Sequence, residues 1–384
     1  MQVTSISWDD PAIEILMNPR LPQNEREEVF SFLSSRKDFA GHVWVQTSGS
    51  VTSKWVALSK QALLVSALAV NEHLQSDQTD RWLNPLPTFH VGGLGIWARA
   101  SMNHASVWDF PSLDRKWSVH DFCKSLQDVR ATLTSLVPTQ VYDVVKAQLS
   151  CPLSLRAAVV GGGVLREPLY LQARELGWPL LPSYGMTECA SQIATASLQS
   201  LQQKEYPPLK ILPHMEVAAN EEGCLQMKSE ALLSAYAVKQ ATGWEISDPK
   251  IHGWLVTTDQ GIVSGESVHI LGRGSDFIKI GGESVSLSRL DQVLDDVKQR
   301  VEIFEGLALV AWEEERLGHE IHLAVTPEAM SQVSLVLEEF HRRVLPFERI
   351  RCVHTVPFIP YSPLKKLLRS ELLSMIRNSR SLLL

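Results

Sequence analysis

The sequence predicts an α/β protein: a large N-terminal layered α/β domain with mainly parallel sheets, joined by a hinge to a small C-terminal α+β domain. Three observations predict it. Short β-rich apolar runs alternate with stretches whose apolar residues recur every three or four positions. Glycine- and hydroxyl-rich loops stand directly after these runs, where open α/β sheets bind their ligands. The pattern then changes near Gly272, leaving about one hundred residues, the size of a small domain.

In chain order, Val43-Trp44-Val45-Gln46 reads as a buried strand followed by a Ser/Thr/Gly loop. Ser59 is placed to cap a helix through Leu63, Leu64, Ala67 and Leu68. Thr132 to Val137 reads as a strand, and after Pro138 a helical pattern carries Val141, Val144, Val145 and Leu149. Ala157-Ala158-Val159-Val160 runs into Gly161-Gly162-Gly163, with a helix after Pro168. Beyond Gly281-Gly282 a helix shows the stripe Leu287, Leu290, Val293, Leu294 and Val297. Strands at Leu307 to Trp312 and Ile321 to Thr326 follow, then a helix through Val333, Val336, Leu337 and Phe340. Gly272 and Gly274 flank Arg273, and the freedom of glycine places the hinge at Gly272 to Asp276. The expected domains are therefore residues 1–271, shortened at the start, and 272–384.

The chain has 384 residues, 36 Lys+Arg against 43 Asp+Glu, a net charge of −7 and 45% hydrophobic residues. That supports a sizeable core and argues against a dedicated nucleic-acid binder, which carries a basic footprint. The best apolar run, Ala62 to Val70, is too short to cross a membrane and is interrupted by Ser66. Met1 to Asp10 has neither the basic head nor the apolar stretch of a signal peptide. Five scattered cysteines with no C-x-x-C read as reduced thiols in a cytoplasmic protein, with neither a disulfide framework nor a zinc site. His319 and His322 form H-x-x-H in a strand-like segment without a third ligand, so they read as surface histidines. No G-x-S-x-G elbow supports a serine hydrolase.

Three groups of residues carry chemistry. Thr47-Ser48-Gly49-Ser50-Val51-Thr52-Ser53-Lys54 offers hydroxyls, backbone N–H groups and a cation after a strand, a phosphate cradle or simply a solvated turn. Tyr184-Gly185-Met186-Thr187-Glu188 combines an aromatic face for a purine, a hydroxyl for a phosphate and a hard carboxylate for Mg²⁺. A helix start capped by Thr187 reads the same letters. Asp259 suits ribose hydroxyls, Arg273 a sugar or phosphate, and Lys366 a reacting oxygen.

Taken in this order, the segments resemble the adenylate-forming superfamily of acyl-CoA ligases, nonribosomal-peptide adenylation domains and firefly luciferase. Thr47 to Lys54 is similar to its phosphate loop, which implies nucleotide contacts from Thr47, Ser48, Gly49, Ser50 and Lys54. Leu86 to Gly93 resembles its acyl-pocket segment, implying His90 on the acid substrate, with Gly162 and Gln192. Gly161, Gly162, Gly163, Tyr184, Gly185 and Met186 resemble its adenine segments, and Glu188 its magnesium ligand, acting with Thr187. Thr258-Asp259 falls at the ribose-binding aspartate, with threonine where glycine is usual. Gly272-Arg273-Gly274-Ser275-Asp276 resembles the hinge motif, with Ser275 where many relatives carry an acid. Pro360 to Arg369 lines up with the C-terminal segment and makes Lys366 the catalytic lysine, with Lys365 in place of the usual glycine.

The Tyr184–Glu188 and Ser191–Thr195 segments resemble o-succinylbenzoate–CoA ligases of menaquinone synthesis. The resemblance implies ATP, Mg²⁺ and CoA, a small carboxylic acid as partner, no nucleic acid and no membrane span. A ligase for another acid or carrier protein, or an inactive relative acting as a binding protein, is the alternative. The stretch before the phosphate loop is shorter than the resemblance implies, and a homo-oligomer is one way to complete it.

Overall fold

A computed structural model describes residues 6–19, 21–47, 54–110, 117–240, 242–273, 277–280, 283–303, 305–314, 317–361, 367–377 and 381–383. Of Arg273, Phe277, Lys279, Glu283, Ser284 and the last strand it describes the backbone only. Two compact units form, residues 1–257 with 261–269, and residues 258–260 with 270–384. No helix among the described residues is long and apolar enough to cross a membrane.

The core of the first unit is an eleven-stranded sheet. Leu180–Met186, Ala157–Val160, Leu133–Leu136, Arg81–Asn84 and Ser106–Asp109 lie side by side and run parallel. Alternation along a strand explains the layering. Ala157 and Val159 pack with Val70, Leu74, Ile96 and Ala100 on one face, whereas Ala158 and Val160 pack with Phe122, Val144, Tyr170 and Ala173 on the other. Each such side chain taken from water contributes roughly 1.5–3 kcal/mol for the large ones. Ser59 caps the helix Lys60–His73 through the Ala62 N–H (2.9 Å), as its position in the sequence predicts.

The α/β class holds, but the sheets are mixed where mainly parallel ones were expected. Parallel neighbours need a helical crossover, and these exist only up to Met186. There a tight turn sends Ser191–Thr195 back antiparallel, and Leu209–Ile211, Ser267–Arg273, Leu255–Ser264, Cys224–Lys228 and Glu216–Ala219 extend that half. A second sheet, largely antiparallel, orders Glu14–Leu16, His42–Gln46, Lys54–Ser59, Ala235–Gln240 and Gly243–Ser247 around Trp44, Trp55 and Ala237.

In the second unit, a sheet built on Leu307–Glu314, Gly318–Val325 and Ile350–Thr355 is covered on both faces. Helices Leu287–Arg300 and Val333–His341 bring Leu290, Leu294, Val297, Val336 and Phe340 to one face. Helix Arg369–Arg377 brings Leu372 and Ile376 to the other. Gly272, one residue before the end of strand Ser267–Arg273, sits at φ +144°, a conformation that L side chains rarely adopt. The rest of the expected hinge, residues 274–276, lies outside the described residues.

Burial also sets an acid limit. It pushes the His214 imidazole down to about 4. A histidine depressed on folding contributes stability that is fully present above its unfolded pKa of about 6.5 and lost as pH falls towards the folded value. Urea midpoints should therefore drop between pH 6.5 and 4, at up to about 1.4 kcal/mol per pH unit for this group. His214→Gln should flatten that slope; an unchanged profile would mean that the ring does not titrate with unfolding.

Candidate active site

The candidate site of the first unit grows from the carboxyl ends of the parallel strands. Gly161-Gly162-Gly163 follows Ala157–Val160, with the Gly161 N–H donating to the Leu136 carbonyl (3.1 Å). Gly162 sits at φ +75° and needs to be glycine. A Cβ on Gly161 would lie 3.9 Å from the Ser183 carbonyl, so the glycine loop abuts the strand that carries Tyr184.

That strand and its return form a strained hairpin. A Cβ on Gly185 would fall 1.8 Å from the Ser191 carbonyl oxygen, which excludes every other residue. The register shifts between Tyr184 and Gly185, and the turn through the 3₁₀ helix Thr187–Cys189 is followed by Ala190 at φ +50° and Ser191 at φ +108°. A non-glycine residue held there stores of order 1–3 kcal/mol, the kind of strain that accumulates at ligand clamps. Tyr184, Met186 and Thr187 are half-buried on this hairpin. Gln192 is buried, and its Oε1 accepts from Thr195 Oγ1 at 2.5 Å, so the amide expected to face substrate is engaged within the sheet.

Glu188 leaves the turn half-buried, and its Oε1 accepts from the Tyr236 hydroxyl (2.9 Å). Burial, then the carboxylate itself, raises the Tyr236 phenol, so it stays a donor. Lys54 Nζ lies 5.3 Å from the Tyr236 ring centroid. The Thr47 N–H donates to the Lys54 carbonyl (2.9 Å), closing the neck of the hydroxyl loop. Lys54 and Glu188 thus flank Tyr236 and Thr47 pairs with the Lys54 backbone, while Ser48, Gly49 and Ser50 lie outside the described residues. Tyr236 was not singled out from the sequence. Its place depends on Ala235–Gln240 pairing with Lys54–Ser59, a contact that no local pattern announces.

Arg99 was missed as well. Helix Val91–Asn103 starts after His90, which is half-buried beside Phe89. Gly93 lets this helix approach the preceding loop, since a Cβ there would be 2.4 Å from the Pro87 carbonyl oxygen. Arg99 is 2% exposed; its Nη2 donates to Ser191 Oγ (3.3 Å), and its guanidinium lies 5.5 Å from the Trp82 ring. Among the described residues, Nε and Nη1 have no hydrogen-bond partner and no carboxylate forms an ion pair with the guanidinium. Burial pushes its pKa down to about 10. A buried cation without a counterion is expensive, and it points to an anion as the missing partner.

In the second unit, Asp259 is buried on strand Leu255–Ser264, Arg273 ends strand Ser267–Arg273, and Lys366 lies outside the described residues. The expectation for the histidine pair is corrected in part. His319 is half-buried, and His322 is buried among partners from a neighbouring strand rather than on the surface. All five cysteines are free thiols.

Residues 43–227 match the AMP-binding enzyme family. The matched stretch includes the hydroxyl loop, the glycine loop and the Tyr184–Glu188 turn. A 2-succinylbenzoate–CoA ligase from Bacillus subtilis is 31% identical over 239 residues, 60% of this chain and 48% of the relative. The corresponding ligase of Oceanobacillus iheyensis is 25% identical over 350 residues, 88% of this chain and 66% of the relative. The chain thus spans 48% to 66% of the length of these relatives. The solved structure of o-succinylbenzoate coenzyme A synthetase (MenE) from B. subtilis with ATP and magnesium ion superposes with a TM-score of 0.71. It is 24% identical and covers 86% of this chain and 69% of that chain. The same enzyme with its acyl-adenylate intermediate also gives 0.71 at 24% identity. The fold is shared with these structures.

Proposed function

We propose that this protein is an ATP-dependent, AMP-forming acid–CoA ligase acting on o-succinylbenzoate in the cytoplasm. The observation that carries the reading is the cluster in which Tyr236 ties Glu188 to Lys54 and the neck of the hydroxyl loop, within the domain that matches AMP-binding enzymes. In the first half-reaction a carboxylate oxygen bonds to the α-phosphorus of ATP while the bond to the pyrophosphate oxygen breaks. An anion then approaches a polyanion, so the barrier is largely electrostatic. The Thr47–Lys54 loop supplies N–H groups, hydroxyls and a cation to the outer phosphates, and Lys366 a cation to the reacting oxygens. The Gly161–Gly163 loop and Tyr184 offer the adenine a flat slot, and Asp259 and Arg273 bind the ribose. Glu188 fits Mg²⁺: it is a half-buried hard donor, oriented by Tyr236, with no basic side chain paired to it among the described residues. Bound there, Mg²⁺ supplies countercharge to the phosphate oxygens. In the second half-reaction the thiolate of CoA attacks the acyl carbonyl and AMP leaves.

The buried Arg99 deepens the choice of acid. o-Succinylbenzoate is a dicarboxylate; one carboxylate reacts, and the other needs a cation shielded from water, which Arg99 offers. The full chain incubated with o-succinylbenzoate, ATP, Mg²⁺ and CoA should release pyrophosphate and AMP and form the thioester, with benzoate far poorer. No acid-dependent pyrophosphate exchange with any of a panel of acids would leave a nucleotide-binding protein instead.

A further inference from the structure

Strands Gly318–Val325 and Ile350–Thr355 run parallel with a register shift between Ile321 and His322, so that His322 pairs with Cys352. The shift brings His322, Cys352 and His354 onto the face covered by helix Arg369–Arg377, beside Ala324 and Val356. All three are buried, at 6%, 2% and 4% exposure. One donor atom from each lies within 4.8 Å of the others. His354 Nε2 is 2.9 Å from His322 Nδ1, and His322 Nε2 is 3.4 Å from Glu320 Oε2. His354 Nδ1 has no hydrogen-bond partner among the described residues. Trp312 closes the group, its ring 5.4 Å from that of His322 and 5.6 Å from that of His354.

Two imidazoles and a thiol in an otherwise apolar layer cost desolvation that alanine or valine at the same positions would avoid. We propose that His322 Nδ1, Cys352 Sγ and His354 Nε2 bind one borderline divalent cation, best matched by Zn²⁺, with water as the fourth ligand. Tetrahedral zinc spaces such donors about 3.3–3.8 Å apart, so side-chain rotations of roughly 1 Å close the set. Glu320 takes the His322 Nε2 proton as a hydrogen bond, which leaves Nδ1 as the lone pair facing the metal. On binding, the proton of His354 resides on Nδ1, and the thiol proton is released to solvent as the thiolate–metal bond forms. The cation staples two parallel strands of the second unit.

The test uses the full-length protein, stripped with a chelator and dialysed against Zn²⁺ or Co²⁺. One zinc per chain should survive gel filtration and raise the melting temperature. Co²⁺ should give a thiolate charge-transfer band together with tetrahedral visible bands. Cys352→Ser should abolish the band, His354→Gln should weaken zinc binding at least tenfold, and Cys224→Ser should change neither. Should Cys352→Ser fail to fold, the wild-type cobalt spectrum decides. No retained metal, a spectrum without thiolate character, or a band that survives Cys352→Ser would each overturn the site.

Discussion

Glu188→Gln should lower the rate of acid-dependent pyrophosphate release by roughly 10²–10³-fold, the usual cost of removing one preorganised electrostatic element from a transition state. The substitution isolates charge from shape. Glutamine has the same length, and its amide oxygen still accepts the Tyr236 hydroxyl, so the turn at Thr187–Cys189 keeps its anchor. What disappears is the negative donor for Mg²⁺. The variant should therefore need far more Mg²⁺ for half-maximal rate, while ATP affinity measured without metal stays close to wild type. Tyr236→Phe should give a milder, roughly tenfold loss, because it frees the carboxylate without neutralising it. Single-turnover pyrophosphate release across a Mg²⁺ series separates the two. A Glu188→Gln enzyme with wild-type rate and metal dependence would show that the carboxylate holds the turn and nothing more.

Local chemistry made part of this site legible in the sequence, and long-range pairing hid the rest. The strand over Val43–Gln46, the Ser59 cap and the Val160–Gly161 junction could be read because each is specified within a few residues. Gly185 could be noticed, but not the reason for it, which is the carbonyl of Ser191 lying where a Cβ would go. Tyr236 carries no signature of its own; it matters because its strand pairs with Lys54–Ser59, about 180 residues earlier. Arg99 carries no local signal either, since burial is a property of the packed layers rather than of the letters Trp97-Ala98-Arg99-Ala100. His322 was misread for the same reason, because its partners Cys352 and His354 come from a strand that the H-x-x-H pattern cannot see.

Arg99→Met should separate function from stability in opposite directions. Methionine fills much of the same buried space with an unbranched apolar chain, so the helix Val91–Asn103 keeps its packing against Trp82. In the folded protein without acid, Arg99 is a buried charge whose Nε and Nη1 have no hydrogen-bond partner among the described residues, a net cost that the substitution removes. The melting temperature should hold or rise. With o-succinylbenzoate, however, the same guanidinium faces a carboxylate out of water. Losing one partner of such a pair costs about 2–5 kcal/mol, or roughly 30- to 4,000-fold in kcat/KM for the acid. KM for ATP should barely move, and a monocarboxylate such as benzoate should gain relative to the dicarboxylate. Arg99→Lys should recover part of the loss, since it restores charge without the planar fork. Parallel measurement of thermal unfolding and of kcat/KM for the two acids decides the matter. A fall in stability with equal losses for both acids would make Arg99 a packing residue, and the second carboxylate would then need another cation.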